Sequence, residues 1–150
     1  MALDIALRAV SIEDAEQLLL WRNDETTRLA SHQTQLLSLS EHQSWLAKSL
    51  SNPQRKLYIA QYLGQDIGTV RADYQDDQNA WLLSWTLAPE KRGQGLAKYM
   101  VKTFIDLIDD AVCAEIKDTN QASLSVAKFS GLNMSHSESG IHYFYRQNKR

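Results

Sequence analysis

WLLSWTLAPEKRGQGLAKYMVKTFIDLI, residues 81–108, reads as a strand, a short loop and a helix. Residues 81–87 combine Trp, Leu and Thr as a buried strand does. Ala88-Pro89-Glu90 ends that strand, because proline has no N–H for a ladder. Lys91-Arg92-Gly93-Gln94-Gly95 then turns the chain, and Leu96, Met100, Phe104 and Ile108 recur at helical spacing. Two glycines ahead of a helix leave backbone N–H groups bare at the positive end of its dipole. Such a corner suits an anion, most naturally a pyrophosphate.

Before this stretch, Ile5, Leu7 and Ala9 alternate with other residues, which predicts a strand over 4–10. Ser11 with Asp14 forms a capping-box pattern, and Ala15, Leu18, Leu19 and Trp21 carry a helix to about Asn23. A short helix is expected over 24–31 and a surface loop over 33–39. Ser40 with Gln43 predicts a second capping box, opening a helix with Trp45, Leu46 and Leu50 on its apolar face and ended by Asn52-Pro53. Strands over Lys56–Leu63 and Ile67–Tyr74 are joined by Gly64-Gln65-Asp66, and the strand from Trp81 follows the turn Asp76-Asp77-Gln78-Asn79.

Beyond the central helix, Ala111–Lys117 is expected as a strand parallel to Trp81–Leu87, since a helical crossover returns the chain in the same direction. A helix from Asn120 to about Ser130 is stopped by Gly131, and Ile141–Arg146 makes a last strand. The expected order is β-α-α-β-β-β-α-β-α-β, an α/β (α+β) chain with residues 1–150 as one domain. No repeat or linker breaks it.

Bulk properties narrow the function. Net charge is −2 with a pI near 6.1, so a broad basic surface for nucleic acid or anionic lipid is not expected. Cys113 is the only cysteine and sits in the apolar run Ala111-Val112-Cys113-Ala114, which excludes a disulfide framework and cysteine metal sites. It is expected to be a buried structural thiol. No metal is expected. With no signal-peptide pattern and no transmembrane run, a cytoplasmic location is the expectation.

Arg92-Gly93-Gln94-Gly95-Leu96-Ala97 resembles the Q/R-x-x-G-x-G/A acetyl-CoA signature of the GNAT N-acetyltransferases. Asn120, Ser123 and Gly131-Leu132 resemble that family's N-x-x-[AS]…G-[FL] pattern, and the element order matches along essentially the whole chain. The resemblance implies the GNAT fold, a mixed, mostly antiparallel sheet flanked by helices, with acetyl-CoA as co-substrate. It implies a cofactor site in which Trp85, Thr86 and Leu87 pair with the pantetheine arm. Gly93, Gln94, Gly95, Leu96 and Ala97 would offer N–H groups to the pyrophosphate, with Arg92 and Lys98 adding charge. Asn120 would stand beside the thioester.

Many relatives carry a glutamate on the fourth strand and a tyrosine in the helix after the fifth. Here Trp81 and Ala127 occupy the corresponding register, so the proton chemistry falls to other groups. Ser84, His32 and Tyr143 are the candidates. The pattern Trp21-Arg22-Asn23, Arg28, Glu41-His42-x-x-Trp45 and Gly68-x-Val70-Arg71-x-Asp73 is similar to that of a narrower group. Those enzymes acetylate nucleotide-linked amino sugars of the pseudaminic and other nonulosonic acid pathways. Trp21, Arg22, Asn23, Trp45 and Arg71 would then line the acceptor side, arginine matching phosphate and aromatics stacking on ring faces. The alternatives are a ribosomal-protein-type N-terminal acetyltransferase and a non-catalytic acyl-CoA-binding module. The expected partner is a small-molecule amine, and the expected state a monomer or homodimer.

Overall fold

The computed structural model of the chain describes residues 3–149. Its strands are β1 (Ala6–Ala9), β2 (Arg55–Tyr62), β3 (Gln65–Gln75), β4 (Ala80–Leu87), β5 (Val112–Lys117), β6 (Asn133–Glu138) and β7 (Ile141–Arg146). They form one sheet in the order β1-β2-β3-β4-β5-β7-β6. Only β4 and β5 are parallel; the other neighbours run antiparallel. The helices are α1 (Ala15–Asn23), α2 (Glu25–Ala30), α3 (Leu39–Leu50), α4 (Leu96–Asp106) and α5 (Gln121–Phe129). This is the mixed sheet with flanking helices that the element order predicts. None of these helices is long and apolar enough to cross a membrane.

Strand alternation divides the chemistry between two faces. Val70, Ala72, Leu83, Val112 and Ala114 pack with Met100, Phe104 and Ala127 of α4 and α5 in the larger core. On the other face Ile59 packs with Leu18, Trp21 and Leu46 of α1 and α3. The residues that alternate with the first set, among them Arg71, Asp73, Ser84 and Glu115, therefore look toward α1 and α3. Gly68 lets α4 sit close to the strands. A Cβ there would lie 2.4 Å from the Thr86 carbonyl oxygen and 2.9 Å from Met100 Sδ. A backbone oxygen cannot retreat from such a contact, so only glycine fits.

Three expectations are corrected. The box that opens α3 is Ser38 with Glu41, not Ser40 with Gln43. Ser38 Oγ accepts from the Glu41 N–H and Glu41 Oε1 accepts from the Ser38 N–H, each at 3.1 Å. Ser38 is already extended, and a carboxylate is a stronger acceptor than the Gln43 amide. The β2–β3 turn is Leu63-Gly64, with φ of 52° and 78°, which leaves Gln65 and Asp66 inside β3. β6 was not expected at all. It is exposed at every position and pairs only with β7, so it carries no apolar alternation to detect.

Cys113 is buried as expected. Burial, then the charges of Glu115 and Asp77, push its thiol up to about 11, which keeps it unreactive at neutral pH.

Candidate active site

The parallel pair β4–β5 holds for only three registers, Trp81↔Val112, Leu82↔Cys113 and Leu83↔Ala114. Beyond them the strands part. Ser84 to Leu87 continue on β3, while Glu115 to Lys117 continue on β7. The edge of residues 84–87 that would face β5 makes no ladder with it, as an incoming extended chain requires. Trp85, Thr86 and Leu87 all lie on this edge.

The open edge leads into the glycine loop. Gly93 and Gly95 take φ of 78° and 73°, left-handed values that a side chain would strain. Gly95 is the N-cap of α4 and provides no side-chain cap, and the first turn holds no acidic residue. The N–H groups of this corner and the dipole of α4 are thus aimed past exposed Gly93, Gln94 and Gly95, with Leu96 buried and Ala97 half-buried behind them. Arg92 turns away from the loop, donating from Nη2 to Asp24 Oδ2 and, at 3.2 Å, to Thr27 Oγ1. That bond, with a backbone N–H from Thr27, holds the Asp24 carboxyl below its ordinary range despite partial burial. Lys98 Nζ lies over the rings of Tyr99 and Phe129, at 5.3 and 5.0 Å. Asn120 caps α5, its Oδ1 accepting from the Ser123 N–H at 3.1 Å.

Across the face toward α1 and α3 runs one transverse row at the point where the strands part. On β2, β3 and β4 it comprises Leu57, Arg71 and Ser84; on β5, β7 and β6 it comprises Glu115, Tyr143 and His136. Tyr143 stacks on His136 with ring centres 4.4 Å apart and planes 5° from parallel. His32, in the loop after α2, places Nε2 3.4 Å from Glu115 Oε1. Of the sequence candidates for proton transfer, His32 touches Glu115, Tyr143 is its register partner on β7 and Ser84 stands across the opening in the same row. Glu115 itself is a residue that sequence reasoning passed over. Its signal was a lone carboxylate inside the apolar run Val112-Cys113-Ala114-Glu115-Ile116. Trp81 instead points into the α4-side core, its Nε1 3.3 Å from Asp110 Oδ2, and Ala127 is fully buried.

A cationic cluster occupies the same face. His42 stacks on Trp45 at 5.4 Å, and the guanidinium carbons of Arg55 and Arg71 lie 5.3 and 5.6 Å from the Trp45 ring. Asp73 is shared by Arg55 and Arg71, the latter with Nε 3.2 Å from Oδ2 but without hydrogen-bond alignment. Arg22 Nη2 donates to the Gln33 carbonyl at 2.9 Å, and Arg28 donates to the Asn23 and Thr34 carbonyls. Asn23 uses both ends of its amide on the Leu37 backbone, at 2.8 and 2.9 Å. Trp21 is buried in the smaller core. Burial first, and neighbouring arginines second, hold both Arg22 and His42 below their ordinary values. Burial lowers Arg71 too, Asp73 opposing it.

A sheet that opens between its two parallel strands beside a bare helix N-terminus defines a transferase of the acyl-CoA N-acyltransferase fold. The model of the acetyltransferase (GNAT) domain family matches residues 4–133, and the chain belongs to that family. It is an acetyl-CoA-dependent N-acetyltransferase. Similar folds include the aminoglycoside acetyltransferase AAC(6′)-Ib with coenzyme A, at 17% identity and a TM-score of 0.83 over 96% of this chain and 95% of that one. Spermidine N-acetyltransferase from Vibrio cholerae, with CoA and spermine, matches at 14% identity and a TM-score of 0.84, covering 96% and 95%. A GNAT-family acetyltransferase from Bacillus anthracis matches at 11% identity and a TM-score of 0.80, covering 100% and 98%. No curated protein sequence matches the chain.

Proposed function

We propose that the acceptor is a primary amine on an anion-bearing small molecule, and specifically on a nucleotide-linked amino sugar. One observation carries this reading. Among the described residues, the buried side-chain polar atoms without a hydrogen-bond partner are Arg22 Nη1, His42 Nε2 and Arg71 Nε, the last in ion-pair contact with Asp73, all in the cluster around Trp45. Unmet buried donors are costly, and a phosphate or carboxylate satisfies them. Arg28 and Arg55 add charge nearby, so a polycationic acceptor meets repulsion there. Trp45 offers a ring face, while Asn23 and Trp21 act through the fold by holding the 33–37 loop and α1.

On the cofactor side, the N–H groups from Gly93 to Ala97 hold the pyrophosphate of acetyl-CoA, with Arg92 and Lys98 supplying charge. The backbone of Trp85 to Leu87 pairs with the pantetheine arm, and Asn120 flanks its thioester. The arm runs from the loop back along β4, so the acetyl group comes to rest where β4 and β5 part. The amine attacks the thioester carbonyl directly, and the thiolate leaves.

The test is a panel of UDP-, dTDP- and CMP-linked amino sugars, spermidine, kanamycin and an N-terminal peptide, each with acetyl-CoA. A nucleotide-linked sugar is expected to be the fastest. Arg22→Ala should then raise its KM about ten- to a hundred-fold, roughly 1.5–3 kcal/mol, and leave the acetyl-CoA KM nearly unchanged. Faster turnover of spermidine, kanamycin or the peptide would overturn the reading.

A further inference from the structure

The geometry points to Glu115 as the group that takes the proton from the attacking amine, with His32 as the residue that positions it. Glu115 is the first residue of β5 past the last β4–β5 register, and it faces α1 and α3. The row through it holds Leu57, Arg71, Ser84, Tyr143 and His136, and Glu115 supplies the row's one carboxylate. An amine attacking a thioester held between the parted strands arrives against this row. Glu115 is half-buried and His32 is exposed, so the pair is open to an acceptor and to water. The remaining polar groups around Glu115 are accounted for. Lys117, next on the same face, donates from Nζ to the Leu29 carbonyl at 3.0 Å. Cys113, on its other side, is buried and protonated. Tyr143 is stacked on His136, and Arg71 lies beyond Ser84 against Asp73.

The reaction balances through these groups. An amine reaches the cleft as an ammonium, whose nitrogen has no free lone pair. Glu115 accepts one proton and becomes the neutral acid. The freed lone pair forms the C–N bond at the thioester carbonyl, the C–S bond breaks, and sulfur leaves with its electron pair. A second proton from the former ammonium passes to the thiolate, giving the thiol and the amide. Glu115 then returns its proton to water. His32 holds the carboxylate at the mouth between β5 and the loop after α2.

This inference rests on acetyl transfer to an amine and not on the acceptor's identity. Its probe is therefore whichever amine of the panel above the wild-type protein acetylates fastest. For Glu115→Gln, kcat/KM near neutral pH is expected to fall about 10²–10⁴-fold. The deficit should shrink as pH rises toward the amine's own pKa, where solvent supplies the neutral nucleophile. The rise in Tm with acetyl-CoA should persist, showing a folded cofactor site. His32→Gln should lose less and displace the acid limb of the profile. A Glu115→Gln enzyme within threefold of wild type at every pH overturns the assignment, and so does a loss constant across pH. If Glu115→Gln loses the Tm rise, Glu115→Asp carries the test. A retained, displaced limb supports the role, and a loss flat in pH ends it.

Discussion

The proposed cofactor side and the proposed acceptor side of this cleft are made from different materials. The first is backbone: an unpaired strand edge, two left-handed glycines and the N-terminus of α4, set on the larger apolar core. The second is side chains: Arg22, His42, Trp45, Arg55, Arg71 and Asp73, drawn from four elements and joined across long sequence separations. The difference teaches where substitution is tolerated. Backbone donors survive most side-chain changes and fail only when the conformation is denied. Side-chain donors are lost one truncation at a time, which leaves the acceptor side free to change specificity over an unchanged cofactor side.

The largest effect should come from denying the loop its conformation. Gly95→Val puts a β-branched residue at φ 73°, at a cost of about 1–3 kcal/mol. The loop escapes by leaving the left-handed region, and the Tm rise with acetyl-CoA should disappear. The space beside Gly95 is open, the nearest atom to an added Cβ being Lys98 Cε at 4.0 Å, so the effect is conformational and not steric. Tight acetyl-CoA binding to folded Gly95→Val, measured by calorimetry, would break the comparison on the backbone side.

A middle-sized effect sharpens the other side. Ser38→Ala removes the cap of α3, the helix that carries His42 and Trp45, and should cost about 1 kcal/mol in urea unfolding. The acceptor KM should rise while the acetyl-CoA KM holds. Equal damage to both would show that the two sides are not separately built.

The smallest effect is electrostatic. Arg8 bridges Asp14 and Asp66, and Gln17 of α1 donates to Asp66 at 2.9 Å. Hydrogen bonds from Arg8, then from Gln17 and Gln61, hold Asp66 at about 2, below its ordinary 3.8. A folded-state pKa below the unfolded one means stability that is present above about pH 4 and lost as pH falls toward 2. Both partners are partly exposed, so salt should shrink the effect. Acid should therefore loosen α1 against the sheet first. Fluorescence of Trp21→Phe and Trp81→Phe variants should report an earlier acid transition in the protein that keeps Trp21. Coincident transitions would remove this distinction between the faces.

Legibility followed the same division. The strand, loop and helix proposed to hold the cofactor could be read because they depend on neighbours in sequence: a proline stop, paired glycines and an apolar stripe at helical spacing. The order of the elements followed from turn residues and crossover geometry. Arg22 and Arg71 could be picked out as residue types, but not the fact that Asn23 and Arg28 would be occupied with the 33–37 loop. Those bonds span 6 to 14 residues and end on an irregular loop that no periodicity describes. Glu115 escaped because its importance comes from register, and register at the parting of β4 and β5 is set by three-dimensional packing. β6 escaped for the opposite reason, having no buried face to leave a pattern.

The Arg92–Asp24 contact ties the two halves into a single thermodynamic cycle. Asp24 is the N-cap of α2, and the loop that follows α2 carries His32. A pyrophosphate that draws Arg92 back to its loop takes it from Asp24, whose carboxylate then keeps only the bonds it accepts from the Thr27 N–H and hydroxyl. Whatever that release does to the acceptor's affinity, the acceptor must do by the same factor to acetyl-CoA's. One guanidinium with two claimants thus couples the proposed cofactor loop to the N-terminus of α2.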